Sequence, residues 1–263
     1  MDKKKNGRFN DIPAKCLIEA HSESCPYLVK IWNGEVVGQN NFSVNLKLAD
    51  VTPVFKKDDA TLAKNYRPVS VLPTVSKVFE RILQSQMKEY IENFLSPYLC
   101  GYRKGFSTQT ALLSLIEKWR KALDAKGFAG AILMDLSKAF DTINHELLIA
   151  KLHAYGFSKD ALLLLLSYLS DRWQQVKVNL SFSDWTELLQ GVPQGSVLGP
   201  LLFNIYLNDL FFILKDADIC NFADDTTPYV CDLNLSSVME KLEDSAAVAT
   251  AWFDTNYMKL NTD

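Results

Sequence analysis

Two carboxylate clusters in this 263-residue chain have the residue types and the setting to handle divalent cations. One is Met134-Asp135-Leu136-Ser137-Lys138-Ala139-Phe140-Asp141, and the other is Phe222-Ala223-Asp224-Asp225-Thr226. Each puts acids at the end of an apolar run, where a buried strand would meet solvent. Mg²⁺ prefers carboxylates together with substrate phosphate oxygens and water. Two such ions, roughly 3.5–4 Å apart, can activate an attacking hydroxyl and stabilise the leaving oxygen of an in-line displacement. Adjacent side chains of an extended strand point to opposite faces. Asp224 and Asp225 therefore cannot serve equally unless a turn intervenes, and Asp224 is read as the shared ligand with Asp225 secondary. The bland alternative is that an Asp-Asp pair at a hairpin tip only makes a turn. Asp141 reads as a cap for the following helix rather than as a ligand. His145 and His153 lie on helical segments and read as surface or packing groups.

Between the clusters runs Gln190-Gly191-Val192-Pro193-Gln194-Gly195-Ser196-Val197-Leu198-Gly199-Pro200. Glycines on both sides of Pro193-Gln194 permit close backbone approach, and an apolar helix follows at once. That geometry suits contact with a nucleotide or a template strand. A plain strand-to-helix turn with Ser196 as cap fits the same residues.

The elements that must position these groups follow from periodicity. Apolar residues at Val75, Val78, Phe79, Ile82, Leu83 and Met87 have helical spacing and predict a helix over 74–94. A second amphipathic helix is expected over 107–123, with Ala111, Leu112, Leu115, Ile116 and Trp119 on one face. Shorter helices are expected near 14–20, 25–32, 145–155 and 159–169. Residues 196–214 are apolar most of the way round and predict a buried helix. Residues 236–256 predict a last amphipathic helix. Strands are expected at 51–55, at 129–136 carrying Asp135, at 174–180 paired with 184–189, and at 219–222 and 227–231 around the acidic tip. No strand is expected after the last helix. The order predicts an α+β fold, an antiparallel sheet from residue 129 onward with helices on one face.

The bulk numbers are those of a globular chain, 48% hydrophobic and 22% charged. The net charge of −3 counts against a nucleic-acid binder, but its distribution is uneven. Residues 1–107 carry 16 Lys and Arg against 11 Asp and Glu, whereas residues 108–263 carry 12 against 20. The basic half could track phosphates and the acidic half could hold cations. Five scattered cysteines without a CxxC pair read as reduced thiols, which predicts an intracellular protein of cytoplasm or nucleus. The polar, basic residues 1–10 are followed by no apolar stretch of signal-peptide type. The most apolar run, 161–169, is far short of the ~20 residues of a membrane span. No GxxxxGK[ST] is present.

Seven segments, in order, together resemble the reverse transcriptases of non-LTR (LINE-like, jockey-like) retrotransposons. They are Leu48-Ala49-Asp50-Val51-Thr52-Pro53-Val54-Phe55-Lys56-Lys57; Asn65-Tyr66-Arg67-Pro68-Val69-Ser70; Ser76-Lys77-Val78-Phe79-Glu80-Arg81; Gly101-Tyr102-Arg103-Lys104-Gly105-Phe106-Ser107-Thr108; residues 135–141; the run from Gly191 to Ser196; and Phe222-Ala223-Asp224-Asp225. The resemblance implies a right-hand polymerase: an extension over 1–44, then a reverse transcriptase domain over 45–263, with fingers at about 45–128 and an α+β palm at about 129–263. It implies RNA-templated DNA synthesis with two Mg²⁺ on Asp135, Asp224 and Asp225 and on the backbone carbonyl of Leu136. It places Phe140 as a steric gate against a ribose 2′-OH, and Gln194 and Gly195 against the incoming nucleotide and template. It places Lys57 and Arg67 near the triphosphate, and Arg103 near nucleic acid. RNA template, DNA primer and dNTPs are the implied partners, with no membrane. The family continues past Asn261 with a thumb, and many members carry an upstream endonuclease. The expectation is thus a polymerase domain truncated before its thumb, with processive synthesis in doubt. The alternative is an inactive retroelement remnant with weak nucleic-acid binding. A phosphotransfer enzyme of the cyclase kind would leave the segments at 65–70 and 101–108 without a role.

Overall fold

The structure is a computed structural model and describes residues 11–261; the basic stretch 1–10 lies outside them. The chain forms two compact units, each assembled from two separate stretches of sequence. Among the described residues the first comprises 11–90 and 145–199, and the second 91–144 and 200–261.

The first unit opens with helices α1 (Ala14–Glu19) and α2 (His21–Ile31), followed by a π-helical turn at Trp32–Val37. Strands β1 (Ala49–Phe55) and β2 (Tyr66–Val71) form an antiparallel hairpin, and α3 (Thr74–Ile91) follows. The second stretch of this unit supplies α5 (His145–Ala154), α6 (Lys159–Leu169), β5 (Arg172–Val178), β6 (Ser181–Phe182) and β7 (Thr186–Leu188). Its sheet has the order β2-β1-β5-β6, with β7 also on β5, and β1 runs parallel to β5. The sheet brings segments more than 100 residues apart into register, Val51 beside Val176. Ser158 caps α6 by accepting from the Ala161 N–H, which fixes the start of the helix where periodicity places it. Phe42, Leu72, Phe79, Leu164, Leu165, Tyr168 and Leu169 are buried here.

The second unit contains α4 (Thr108–Asp124), β3 (Phe128–Ala131), β4 (Leu136–Ser137), α7 (Gly199–Leu207, from Pro200 on), α8 (Leu210–Ile213), β8 (Asp218–Phe222), β9 (Asp225–Asp232), α9 (Leu235–Thr255) and β10 (Lys259–Leu260). Ser107 caps α4 through a reciprocal box with Thr110. A three-stranded antiparallel sheet, β3-β9-β8, is backed by α9. Val230 packs with Val238 and Leu242, and Gly130 permits that closeness: a Cβ there would run into the Val238 and Leu242 side chains. Leu201, Leu202, Phe203, Ile205, Tyr206 and Leu207 are all buried, as expected of a helix apolar all round.

The α+β class holds, and most elements fall where periodicity places them. The expected 129–136 strand is split into β3 and β4, with Asp135 between them, and β2 is a strand that periodicity did not mark; further details differ. The β5–β7 hairpin joins the sheet of β1 and β2, not the sheet that carries the acids, because its partner strand is remote in sequence. The apolar 196–214 run becomes helical only at Gly199, after the turn, and breaks before α8. On α4, Leu112 and Ile116 are half-exposed, and Leu115 is the buried residue of that face. A terminal strand, β10, does form, pairing antiparallel with β4. It is too short to show any alternation. Among the described residues no helix is long and apolar enough to cross a membrane.

Candidate nucleotidyl-transfer site

The acidic turn is built from the second unit's sheet. Strands β8 and β9 pair with Phe222 opposite Asp225, leaving a two-residue turn of Ala223 and Asp224. Ala223 takes the left-handed conformation, φ 58°, which costs a residue with a Cβ about 1–2 kcal/mol. The surroundings hold it there. The buried Asn221 amide donates to the Ala223 carbonyl at 3.0 Å, the Asp225 carbonyl at 3.1 Å and Thr226 Oγ1 at 3.0 Å. Gly101 lies against the Ala223 backbone so closely that a Cβ there would overlap it. The Gly101 carbonyl in turn accepts from the buried Asn204 amide at 2.8 Å.

Asp135 reaches this turn through strand register. Ala131 pairs with Tyr229, and Met134 bridges Thr226 with both backbone hydrogen bonds, at 2.9 and 3.2 Å. The same register sets Asp135 opposite Asp225. Met134 and Thr226 are buried, whereas Asp135 and Asp225 are exposed, so the two acids share the solvent face. Cross-strand neighbours of this kind have Cβ atoms about 4.5–5.5 Å apart. Asp224, half-exposed, sits beside them in the turn. Register makes Asp225 the direct cross-strand neighbour of Asp135, because the turn takes only two residues. Leu136 is oriented as well. Asp135 gives its carbonyl to the Asn261 N–H at 2.8 Å, so alternation turns the Leu136 carbonyl away from β10, to the side where Met134 meets β9.

Phe140 follows in a turn where the Asp141 N–H donates to the Lys138 carbonyl at 2.8 Å. Its ring stacks on Phe203 at 4.8 Å and 17° and meets the Tyr102 edge at 5.9 Å. Asp141 lies four residues short of α5, too early to cap it. Arg103 turns inward. Its guanidinium donates to Glu92 Oε1 at 3.0 and 2.8 Å and to the Ser96 and Leu99 carbonyls at 2.8 and 3.0 Å, and it lies over the Phe106 ring. Its side chain is 8% exposed. The geometry makes it a clamp on the 92–106 segment.

In the first unit, the Gly191–Gly199 run is held from several sides. The Gly191 carbonyl accepts from His145 Nε2 at 2.7 Å, and the Gln194 carbonyl from the Ser70 N–H at 2.7 Å. Burial pushes the His145 pKa below its usual 6.5, so the ring stays a neutral donor. The fully buried Glu80 carboxylate accepts from the Val197 and Leu198 N–H groups at 2.6 and 3.1 Å, and Gln84 donates to the Val197 carbonyl at 2.8 Å. Ser196 Oγ accepts from the Gly199 N–H at 3.0 Å. Gly195, φ 108°, faces the Ser70 carbonyl so closely that a Cβ would collide with it. Gln194 and Gly195 thus lie against β2, the strand that carries Arg67. Arg67 and Lys57, the latter just beyond β1, are both exposed.

Motif reading did not single out Asn221, Asn261, Glu80 or Gln84 as site residues. Glu80 lies within the 76–81 segment, and Asn261 follows the last helix in a stretch too short to carry a pattern. Among the described residues no three His, Cys, Asp or Glu side chains form a preassembled metal cage. The exposed pair with its neighbouring turn acid suits Mg²⁺, which is usually held by one or two carboxylates, with substrate phosphates and water supplying the rest.

The family model for reverse transcriptase (RNA-dependent DNA polymerase) matches residues 54–263. The chain belongs to the reverse transcriptase family. Among similar proteins, the probable RNA-directed DNA polymerase from transposon BS of Drosophila melanogaster is 29% identical over 245 residues, 89% of this chain and 27% of the relative. That from transposon X-element of the same organism is 32% identical over 211 residues, 76% of this chain and 22% of the relative. The RNA-directed DNA polymerase from mobile element jockey is 24% identical over 92% of this chain. This reverse transcriptase chain thus spans about a quarter of the length of these relatives. Its fold is similar to that of a Candida tropicalis telomerase solved with a fragment of telomeric RNA, with a TM-score of 0.58 and 14% identity, over 84% of this chain and 41% of that one.

Proposed function

We propose that this chain is the part of a non-LTR retrotransposon polymerase that performs RNA-templated DNA synthesis, joining dNTPs to a primer 3′-OH. The observation that carries the reading is the register that sets Asp135 opposite Asp225 on a solvent face, with Asp224 in the adjoining turn. Asp135, Asp224 and Asp225, with the Leu136 carbonyl, are the groups to hold two Mg²⁺. Bound there, the ions would supply Lewis-acid activation of the attacking hydroxyl and neutralise charge on the phosphates.

The rest of the machinery is assigned from the chain's own groups. Phe140, its ring held by Phe203 and Tyr102, is a fixed wall suited to excluding a 2′-hydroxyl. Gln194 and Gly195 form a backbone turn fixed against β2, where Gly195 leaves room for the Ser70 carbonyl, and that fixed turn suits a nucleotide or template strand. Exposed Arg67 and Lys57 are placed for triphosphate oxygens, with Arg67 able to bind them in a bidentate fork. Arg103 shapes its own segment and takes no phosphate. RNA template, DNA primer and dNTPs are the proposed partners, and an intracellular location follows from that activity.

Primer extension on an RNA template in Mg²⁺ tests the reading. The unaltered chain is expected to extend the primer, and Asp224→Ala to lose at least about a hundredfold in rate, the scale of removing a key electrostatic group. Equal extension by both would overturn the site. Binding without extension, with a steep loss of affinity as salt rises, would favour the remnant reading instead.

A further inference from the structure

We infer that Asn261 is a positioning residue for Asp135, fixing which carboxylate oxygen is left for a cation; this rests on the nucleotidyl-transfer reading above. Asp135 is exposed, and a side-chain hydrogen bond holds its carboxylate. The Asn261 Nδ2 donates to Asp135 Oδ2 at 2.9 Å, while the Asn261 backbone N–H donates to the Asp135 carbonyl at 2.8 Å. An ionised carboxylate only accepts, so the amide must present its NH₂ edge, and the direction of this bond is set by chemistry. With Oδ2 engaged, Oδ1 is the oxygen left to a metal.

The amide is itself held by the fold. Helix α9 backs β9, the strand that begins with Asp225. At its end Tyr257 turns through φ 56°, and the Met258 N–H returns to the Phe253 carbonyl at 2.9 Å. Met258 is buried, and Tyr206 donates to the Asn256 carbonyl at 2.6 Å. The chain then pairs Lys259 with Ser137 and Leu260 with Leu136, which delivers Asn261 to Asp135. The same helix thus supports the strand of Asp225 and aims the group that orients Asp135. Residues on one metal-binding constellation gain affinity when their rotamers are fixed by neighbouring hydrogen bonds.

Mn²⁺ binding to the purified chain, followed by electron paramagnetic resonance, separates this claim from the reading it rests on. Asn261→Ala and Asn261→Leu remove the amide and keep the backbone bond. Each is expected to weaken Mn²⁺ binding about three- to tenfold, the worth of one hydrogen bond. Their metal-free thermal midpoints should stay within about 2 °C of the unaltered chain. Unchanged Mn²⁺ affinity in both variants would overturn the inference and leave the site assignment standing. A metal-free midpoint lower by more than about 5 °C would make Asn261 a structural clasp and overturn it too. If Asp224→Ala binds Mn²⁺ as well as the unaltered chain, the carboxylate site itself fails and the inference falls with it.

Discussion

Phe140 stacks nearly parallel on Phe203, 4.8 Å between centroids, so its ring cannot swing aside without breaking that contact. A gate of this kind works by rigidity. Phe140→Ala should therefore raise ribonucleotide incorporation relative to deoxyribonucleotide by at least about tenfold, the scale of 1–3 kcal/mol of steric discrimination, in single-nucleotide extension assays. An unchanged ratio would remove Phe140 from that role. His145 gives a prediction in pH. Its folded pKa lies below the usual 6.5 because burial disfavours the charged ring, an effect that the hydrogen bond to the Gly191 carbonyl only partly opposes. The unfolded chain then binds the extra proton first, so stability is full above about pH 6.5 and falls as pH drops toward the folded value. His145→Gln keeps an N–H donor without the titration. Its thermal midpoint should depend less on pH between 7 and 5 than that of the unaltered chain.

At the scale of elements, the acidic turn and the Gly191–Gly199 run are each held by groups remote in sequence. Gly101 illustrates this. It opens a segment recognisable by motif, but the reason for a glycine appears only where the Ala223 backbone rests on it. Gly101→Ala should push the Ala223-Asp224 turn outward. The expected result is a loss of at least about 2 kcal/mol of stability, in the range of overpacked core sites, together with weakened extension. A chemical denaturation curve that overlays that of the unaltered chain would show that the turn can shift at no cost. The Gly191–Gly199 turn depends similarly on Glu80. Its buried carboxyl group accepts from two backbone N–H groups and the Ser76 hydroxyl, which ties the turn to α3.

For the whole molecule, the two compact units do not follow the linear order of the chain. Residues 145–199 pack with residues 11–90. The parallel pairing of β1 with β5 is the physical reason: the edge of the β1–β2 hairpin is completed by residues 172–178. A piece comprising residues 1–128 therefore lacks β5, β7 and the α5–α6 pair. It should show little amide dispersion by NMR and no cooperative thermal transition. A well-dispersed spectrum would show that the hairpin and α3 suffice. A chain joining 1–90 to 145–199 through a short flexible linker is the piece expected to fold.

The sequence by itself determined the class of chemistry, most helices, and the placing of acids at the ends of apolar runs. These are local properties: amphipathic period, caps such as Ser107 and Ser158, and short motifs read within about ten residues. Tertiary structure alone decided which groups meet. Strand register, which comes from non-local pairing, set Asp225 opposite Asp135 and assigned β5 to the sheet of β1. Inward packing made Arg103 a clamp on its own segment, through two carbonyls and a carboxylate. And a two-residue strand with no readable pattern, β10, brought Asn261 to Asp135, because backbone pairing rather than side-chain periodicity holds it there.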